Sequence, residues 1–157
     1  VDDMPVEVTG QGWLDREWSS QPLADNQAGW DWMSLHLSDG SALMVYQLRH
    51  DSGEHYISGS WVSESGEITV LKAGDVTMTP LSTSRLTITS AVGGEEQSDI
   101  KEIPLDWRVR APKLDIDIAV TTDRPYSWLA TVFPYWEGPV VAQGSHQGVG
   151  YLELTGY

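Results

Sequence analysis

The chain has 157 residues, the length expected of one domain with a single hydrophobic core. It carries 9 basic and 23 acidic residues, and this net charge of -14 argues against binding to nucleic-acid phosphates or to anionic membrane surfaces. The acidic residues are scattered, which indicates a solvated surface more than a patch for a cationic partner. Cysteine is absent, so disulfides and thiolate chemistry are excluded, while the compartment stays open between periplasm and cytosol.

No window of about 18 apolar residues occurs, so the sequence predicts no membrane-spanning helix. Residues 1–10 lack the features of a signal peptide. We therefore expect no membrane span.

Short apolar runs alternate with turn residues at the spacing typical of antiparallel β-proteins. The clearest stretch is a meander whose turns contain the pairs Asp39-Gly40, Ser52-Gly53 and Ser65-Gly66, residues that tolerate positive φ. The predicted strands are 6–10, 13–18, 29–37, 42–49, 55–63, 68–72, 75–79, 85–92, 114–120, 140–145 and 150–156.

The polar composition of segment 93–104 predicts a loop. The best helix candidates, 24–28 and 123–130, are short and show little helical periodicity. The chain is therefore predicted to be one all-β domain over residues 1–157. About ten strands favour a closed or nearly closed antiparallel barrel over a sandwich, because closure removes exposed sheet edges.

Residues 30–37 carry large side chains on both faces of the predicted strand. Trp30, Trp32, Ser34 and His36 alternate with Asp31, Met33, Leu35 and Leu37. Side chains alternate between the two faces of a strand. One face is therefore expected inside the barrel, and the other under a loop, a helix or a partner domain.

Tryptophan and carboxylate residues recur as neighbours. Asp15 and Glu17 lie between Trp13 and Trp18, Asp31 lies between Trp30 and Trp32, and Glu137 follows Trp136. A carboxyl group held against aromatic walls has a raised pKa and can donate a proton near neutrality, while the rings stabilise a developing cation. A protonated carboxyl group next to aromatic rings suits protonation of an alkene or opening of a glycoside. The alternative is structural, with Arg16 pairing with Asp15 or Glu17 to close the barrel.

The other polar clusters match no known catalytic or metal-binding motif. His50, Glu54 and His55 lie at a hairpin turn with a spacing that suits no common metal site, so neither a metal nor another cofactor is predicted. No nucleophile elbow surrounds any serine. The glycines in GSHQGVGYLELTGY lack the context of a phosphate-binding loop and predict close backbone approach near a barrel seam.

Four segments resemble one known family. Residues 12–21, 29–49, 104–112 and 135–157 look like the signature segments of the family that joins AttH-type proteins to hydroxyneurosporene synthase, the carotenoid 1,2-hydratase. They are more similar to the AttH branch, whose members are often labelled predicted secreted hydrolases. The resemblance implies a lipocalin-like architecture of two β-barrel domains, of which this chain looks like the C-terminal one.

The leading hypothesis is that the barrel binds an apolar or isoprenoid-like small molecule, with acid-catalysed hydration of a double bond, or a related isomerisation or cyclisation, as its enzymatic form. Asp15 or Glu17 would donate the proton, Glu137 is the second candidate acid, and Arg16 would orient the carboxylates. The predicted aromatic wall consists of Trp18, Trp30, Trp32 and Tyr46, and Trp136, beside Glu137, is a further candidate ligand-binding residue.

Two other functions remain open. In one, the chain is a non-catalytic carrier or accessory domain whose aromatic surface binds an N-terminal barrel or a second copy of the chain. In the other, it is a carbohydrate-binding module, which would need exposed, coplanar tryptophans.

Overall fold

The computed structural model describes residues 5–16, 18–21, 23–92 and 95–157, with the backbone alone for 90–92 and 95–97. Ten strands and one short 3-10 turn, Pro112–Leu114, make up its regular structure. The strands are β1 (Gln27–Leu37), β2 (Ala42–His50), β3 (His55–Val62), β4 (Ile68–Leu71), β5 (Thr77–Val92), β6 (Glu95–Ala111), β7 (Ile116–Thr121), β8 (Trp128–Leu129), β9 (Tyr135–Gly144) and β10 (Gly148–Thr155).

All ten strands belong to one antiparallel sheet in the order β4-β3-β2-β1-β10-β9-β7-β6-β5, with β8 paired to β9. The all-β antiparallel class is therefore confirmed. In the described part of the chain no ladder joins the edge strands β4 and β5, so hydrogen bonds do not close the sheet. With only four residues, β4 offers few backbone groups for such a ladder. No described helix has the length and apolarity to cross a membrane.

One hydrophobic core holds the sheet together. On β1, Asp31, Met33, Leu35 and Leu37 are buried and point to one side of the sheet, which we call the core face. Leu71 of β4 and Met78 of β5 lie in the same apolar cluster, so both sheet edges pack on one core. Trp30, Trp32, Ser34 and His36 lie on the opposite side, which we call the outer face. The predicted alternation along residues 30–37 is confirmed.

The three predicted hairpin turns are also confirmed. They connect β1 to β2, β2 to β3 and β3 to β4, and Gly40, Gly53 and Gly66 adopt φ values of 82°, 83° and 86°. Because these values lie in the left-handed region, a residue without Cβ fits them best.

The predictions for residues 6–10 and 13–18 are wrong. The described residues of both segments form no strand and are mostly exposed, because no neighbouring strand pairs with them. The two short helix candidates are also not helical: β1 begins within the first and β8 lies within the second.

The predicted loop at 93–104 is wrong as well, since β6 begins at Glu95 and pairs with β5 from Val92 onward. Residues 98–102 are mostly exposed on this long hairpin, so a polar composition is compatible with strand structure there. Residues 93 and 94 lie outside the described part of the chain.

Close backbone approach explains two glycines of the C-terminal segment. A Cβ on Gly150 would lie 1.8 Å from the carbonyl oxygen of Ser34, where β10 pairs with β1. A Cβ on Gly156 would lie 1.9 Å from the carbonyl oxygen of Ala28, and Gly156 also has a φ of 74°. Both contacts are far shorter than a real Cβ contact, which confirms the close-approach interpretation.

Candidate functional site

The segment before β1 lies over the outer face of the sheet. We call the described residues of 5–21 the strap. Its Trp13 makes edge contacts with Trp32, at 6.4 Å between ring centroids, and with His36, at 6.0 Å. Trp13 is the half-buried member of an otherwise exposed strap. The outer face of β1 is therefore covered by a loop, one of the coverings that the sequence predicts.

A cavity of about 650 Å³ lies between the strap and the outer face. The strap contributes Asp15, Arg16, Ser19 and Gln21 to its wall. The sheet contributes Gln27, Trp30, Trp32, Met44, Tyr46, Leu48 and Glu153. The sheet side of the cavity is thus mostly aromatic and aliphatic, with one amide and one carboxylate, and the strap side is polar.

Strand pairing explains this arrangement. Trp32 is registered opposite Tyr46 of β2 on one side and opposite Glu153 of β10 on the other. Directly paired residues of antiparallel strands project to the same face of a sheet. Three neighbouring strands therefore place two rings and a carboxylate side by side.

Trp30 is held from two sides. Its Nε1 donates a hydrogen bond to Glu153 Oε1 at 2.6 Å, and its ring stacks on Phe133 with centroids 5.6 Å apart and planes 9° apart. The hydrogen bond fixes the carboxylate at the edge of an aromatic wall. Phe133 belongs to the segment between β8 and β9, so this segment also supports the site.

Glu137 lies beside the cavity wall. It is registered directly opposite Glu153 where β9 pairs with β10, so the two acidic residues share the outer face. Tyr135 hydrogen-bonds to Glu137. Burial, followed by the negative charges of Glu137 and Glu153, raises the pKa of Tyr135 above its usual value, which keeps its hydroxyl protonated.

A separate polar network lies on the core face. Asp31 is fully buried, accepts hydrogen bonds from Gln47 Nε2 at 2.7 Å and from the Tyr157 hydroxyl at 2.8 Å, and lies 3.3 Å from Arg49 Nε. Arg49 also donates to the carbonyl oxygen of Thr155 and lies over the Tyr157 ring, 4.0 Å from its centroid. The network joins β1, β2 and the C-terminal residues.

Burial raises the pKa of Asp31 above its ordinary value of 3.8, although Arg49, Gln47 and Tyr157 offset part of this effect. Burial and the Asp31 charge raise the pKa of Tyr157 well above its ordinary value. Both carboxylate oxygens of Asp31 have partners within the protein. We therefore interpret the network as structural support for the strands that form the cavity wall.

Five of the predicted site residues come together. Asp15, Arg16, Trp30, Trp32 and Tyr46 all line the cavity. Asp15 is exposed, however, and is not buried against aromatic rings as the sequence analysis expected. The reason is that the strap forms no strand and does not lie between packed layers.

The other predicted residues lie elsewhere. Trp18 is 83% exposed and does not line the cavity. Trp136 is fully buried on the core side, where its Nε1 donates to the carbonyl oxygen of Pro125 at 2.7 Å. Glu137 lies next to the wall, and Glu17 lies outside the described residues.

Two features of the site were not predicted from the sequence. Glu153 alternates with Leu152 and Leu154, which marks it as outward-facing, but only the pairing of β10 with β1 brings it to the rings. The partners of Asp31 come from β2 and the C-terminus, and no local pattern connects them. Among the described residues, no three histidine, aspartate or glutamate side chains are grouped to hold a metal ion.

Comparison with known proteins gives a consistent result. A family model described as AttH-like matches residues 1–157. A solved protein from Nitrosomonas europaea, assigned to AttH, is similar to the chain with 32% sequence identity and a TM-score of 0.73. The match covers 89% of this chain and 42% of that protein, so this chain spans less than half of its solved relative. No curated protein matches the chain.

Proposed function

The chain belongs to the AttH-like family, and we propose that it binds an apolar, isoprenoid-like small molecule in the cavity between the strap and the outer face. The observation that carries this proposal is the cavity itself. Its volume of about 650 Å³ falls in the range typical of small-molecule sites, and its sheet side presents Trp30, Trp32, Met44, Tyr46 and Leu48. Burying such side chains against an apolar ligand removes their surface from water, which favours binding.

The outer face beyond the cavity supports a partner for the same site. Tyr56, Val141, Val149 and Tyr151 are between 43% and 52% exposed, and they share this face by register. Since the chain spans 42% of its solved relative, we propose that additional chain, either a further barrel domain or a second copy, packs on this surface beside the ligand.

Ligand binding is tested with retinol, a fluorescent isoprenoid alcohol. Trp32→Ala is expected to raise the dissociation constant at least about tenfold, because it removes the ring at the centre of the wall. The control is Tyr126→Ala, an exposed aromatic outside both the cavity and the proposed partner surface, which should leave the constant within about twofold. Equal affinities of wild type and Trp32→Ala would contradict the location of the site.

Native mass spectrometry of the gently purified protein complements this titration. A stoichiometric apolar passenger would support binding and identify the ligand class after extraction. The same spectrum gives the oligomeric state, and a dimer would support the second copy as the partner on the outer face.

The second candidate function is acid-catalysed addition of water to a double bond of the bound molecule. The observation that favours it is the position of Glu153, a carboxyl group that shares the cavity wall with three aromatic rings, which would stabilise a developing cation. We expect Glu153→Gln to abolish hydration of an isoprenoid alkene while leaving retinol affinity within about threefold. Unchanged turnover in this variant would remove Glu153 from the proposed mechanism, and Asp15→Asn and Glu137→Gln would then test the remaining acids.

A further inference from the structure

Two hairpin turns, β1–β2 and β9–β10, are in contact. The backbone N–H of Ser38 in the first turn donates to the carbonyl oxygen of Gln147 in the second at 2.8 Å. The backbone N–H of Gln147 donates in return to Ser38 Oγ at 3.3 Å. This pair of hydrogen bonds fixes the two turns against each other, so that polar side chains from both turns meet.

A serine, a histidine and an aspartate come together at this contact. Ser145 Oγ lies 3.1 Å from His146 Nδ1, and His146 Nε2 lies 3.4 Å from Asp39 Oδ2. The histidine side chain is 20% exposed, whereas Ser145 is open to solvent. A hydroxyl next to an imidazole that in turn faces a carboxylate is the arrangement by which a catalytic triad is recognised.

The hydrogen bonds around Ser145 direct its proton towards the histidine. The backbone N–H of Asp117 donates to Ser145 Oγ at 2.8 Å, so this oxygen accepts one hydrogen bond and keeps its own proton for another. If that proton is donated to His146 Nδ1, the proton on Nε2 faces Asp39. The two ring nitrogens therefore exchange the roles that they have in the serine proteases, while hydroxyl, imidazole and carboxylate keep theirs.

Asp39 is held in its charged form. Its Oδ1 accepts hydrogen bonds from Ser41 Oγ at 2.6 Å and from the Ser41 backbone N–H at 3.0 Å, which leaves Oδ2 to face His146. The bond from Ser41 Oγ contributes most to a pKa of Asp39 below its ordinary value of 3.8, against an opposing effect of burial. A carboxylate in this position stabilises the imidazolium that forms when His146 accepts a proton.

We propose that Ser145 is the nucleophile of an ester-cleaving site, with His146 as its general base and Asp39 as the residue that positions the imidazole. Ser145 Oγ attacks the carbonyl carbon of the ester while its proton passes to His146 Nδ1. The ester C–O bond then breaks, and the leaving alcohol takes that proton. Water attacks the acyl-serine with His146 again as the base, which releases the carboxylic acid and restores the serine.

The turn also indicates the class of ester. The backbone N–H of His146 directly follows the nucleophile, the position that supplies one oxyanion donor in other serine hydrolases. Ser145 is exposed and lies outside the cavity beneath the strap, so it offers a long acyl chain little apolar surface. We therefore expect short-chain esters as substrates. This activity is independent of the binding function proposed for the cavity.

The first test is labelling with a fluorophosphonate, which phosphonylates nucleophilic serines with loss of fluoride. The intact mass should increase by one phosphonyl group, and peptide mapping should place that group on Ser145. His146→Asn should lower the labelling rate at least about hundredfold, the lower end of the effect of a general base. Ser65→Ala removes an exposed serine of the β3–β4 turn and is the matched control, which should label within about twofold of the wild-type rate.

Turnover is measured with p-nitrophenyl acetate. Ser145→Ala should abolish the release of p-nitrophenolate above the buffer rate. Asp39→Asn should lower kcat at least about tenfold and leave KM within about twofold, because the carboxylate acts on the imidazole and does not contact the ester. Circular dichroism establishes that each variant is folded, and the labelling rate of His146→Asn tests the site if Ser145→Ala does not fold.

Three results would overturn the assignment. If the wild type is not labelled, or if Ser145 and Ser65 are labelled at equal rates, Ser145 is no activated nucleophile. If His146→Asn is labelled as fast as the wild type, the histidine is not its base. If kcat is unchanged in Asp39→Asn, the contact between Asp39 and His146 serves only to hold the two turns together.

Discussion

Asp31→Ala is expected to lower the free energy of unfolding by about 3 to 5 kcal/mol, as for other buried ion pairs that lose one partner. The carboxylate is fully buried and joins Gln47, Arg49 and Tyr157. Its removal leaves the mostly buried guanidinium without its acidic partner and creates a small cavity beneath the aromatic wall. Urea unfolding followed by circular dichroism measures the change.

Asp123→Ala is the control for this substitution. Asp123 is exposed, and its ion pair with Arg124 spans 3.9 Å, so its loss should change stability by no more than about 0.5 kcal/mol. A similar small loss in Asp31→Ala would show that the buried network contributes little to stability.

The network also predicts a pH dependence. The pKa of Asp31 is raised in the folded state, so its protonation contributes stability that is fully present below its ordinary value of 3.8 and is lost as pH rises through the raised value. The stability of the wild type relative to Asp31→Asn should therefore decrease as pH rises above about 4. Urea unfolding of both proteins over a pH series tests this sign, and parallel pH profiles would contradict it.

Gly150→Ala is expected to destabilise the domain by about 3 kcal/mol, the upper part of the range for overpacking. The new methyl group would meet the Ser34 carbonyl oxygen, a backbone atom that moves only if β10 separates from β1. That separation would also disturb the register that places Glu153 beside Trp32. Thermal unfolding and retinol affinity should therefore both change.

Gly12→Ala provides the matched control, because no atom lies within 4 Å of its hypothetical Cβ. This substitution in the strap should change stability by no more than about 0.5 kcal/mol. Gly150→Ala with wild-type stability would mean that β10 and β1 approach less closely than the structure shows.

Much of the fold could be predicted from local sequence patterns. Strict alternation identified the two faces of β1, and paired small and polar residues identified the three hairpin turns. The failures have a common cause, because alternation describes a strand only where a neighbour pairs with it. Residues 13–18 alternate in sequence, but their described members have no neighbouring strand. Residues 95–103 are mostly polar and nevertheless pair with β5.

The site was predictable only in part for a related reason. Trp30, Trp32 and Tyr46 are close in sequence and lie on adjacent strands of one meander. Glu153 reaches Trp30 across a separation of 123 residues, and Tyr157 reaches Asp31 across 126. Contacts of this kind depend on which strands become neighbours in the sheet, and a single sequence does not encode that order in any local pattern.

The attachment of the strap has a kinetic consequence. Residues 5–16 form no ladder with any strand, and Trp13 contacts the sheet through its ring. Displacing the strap therefore breaks ring contacts while the ten-stranded sheet stays intact. If a small molecule binds beneath the strap as proposed, this local opening would govern its residence time, and its exchange would proceed on a timescale independent of global unfolding. A variant that is greatly stabilised in its core would release its ligand as quickly as the wild type.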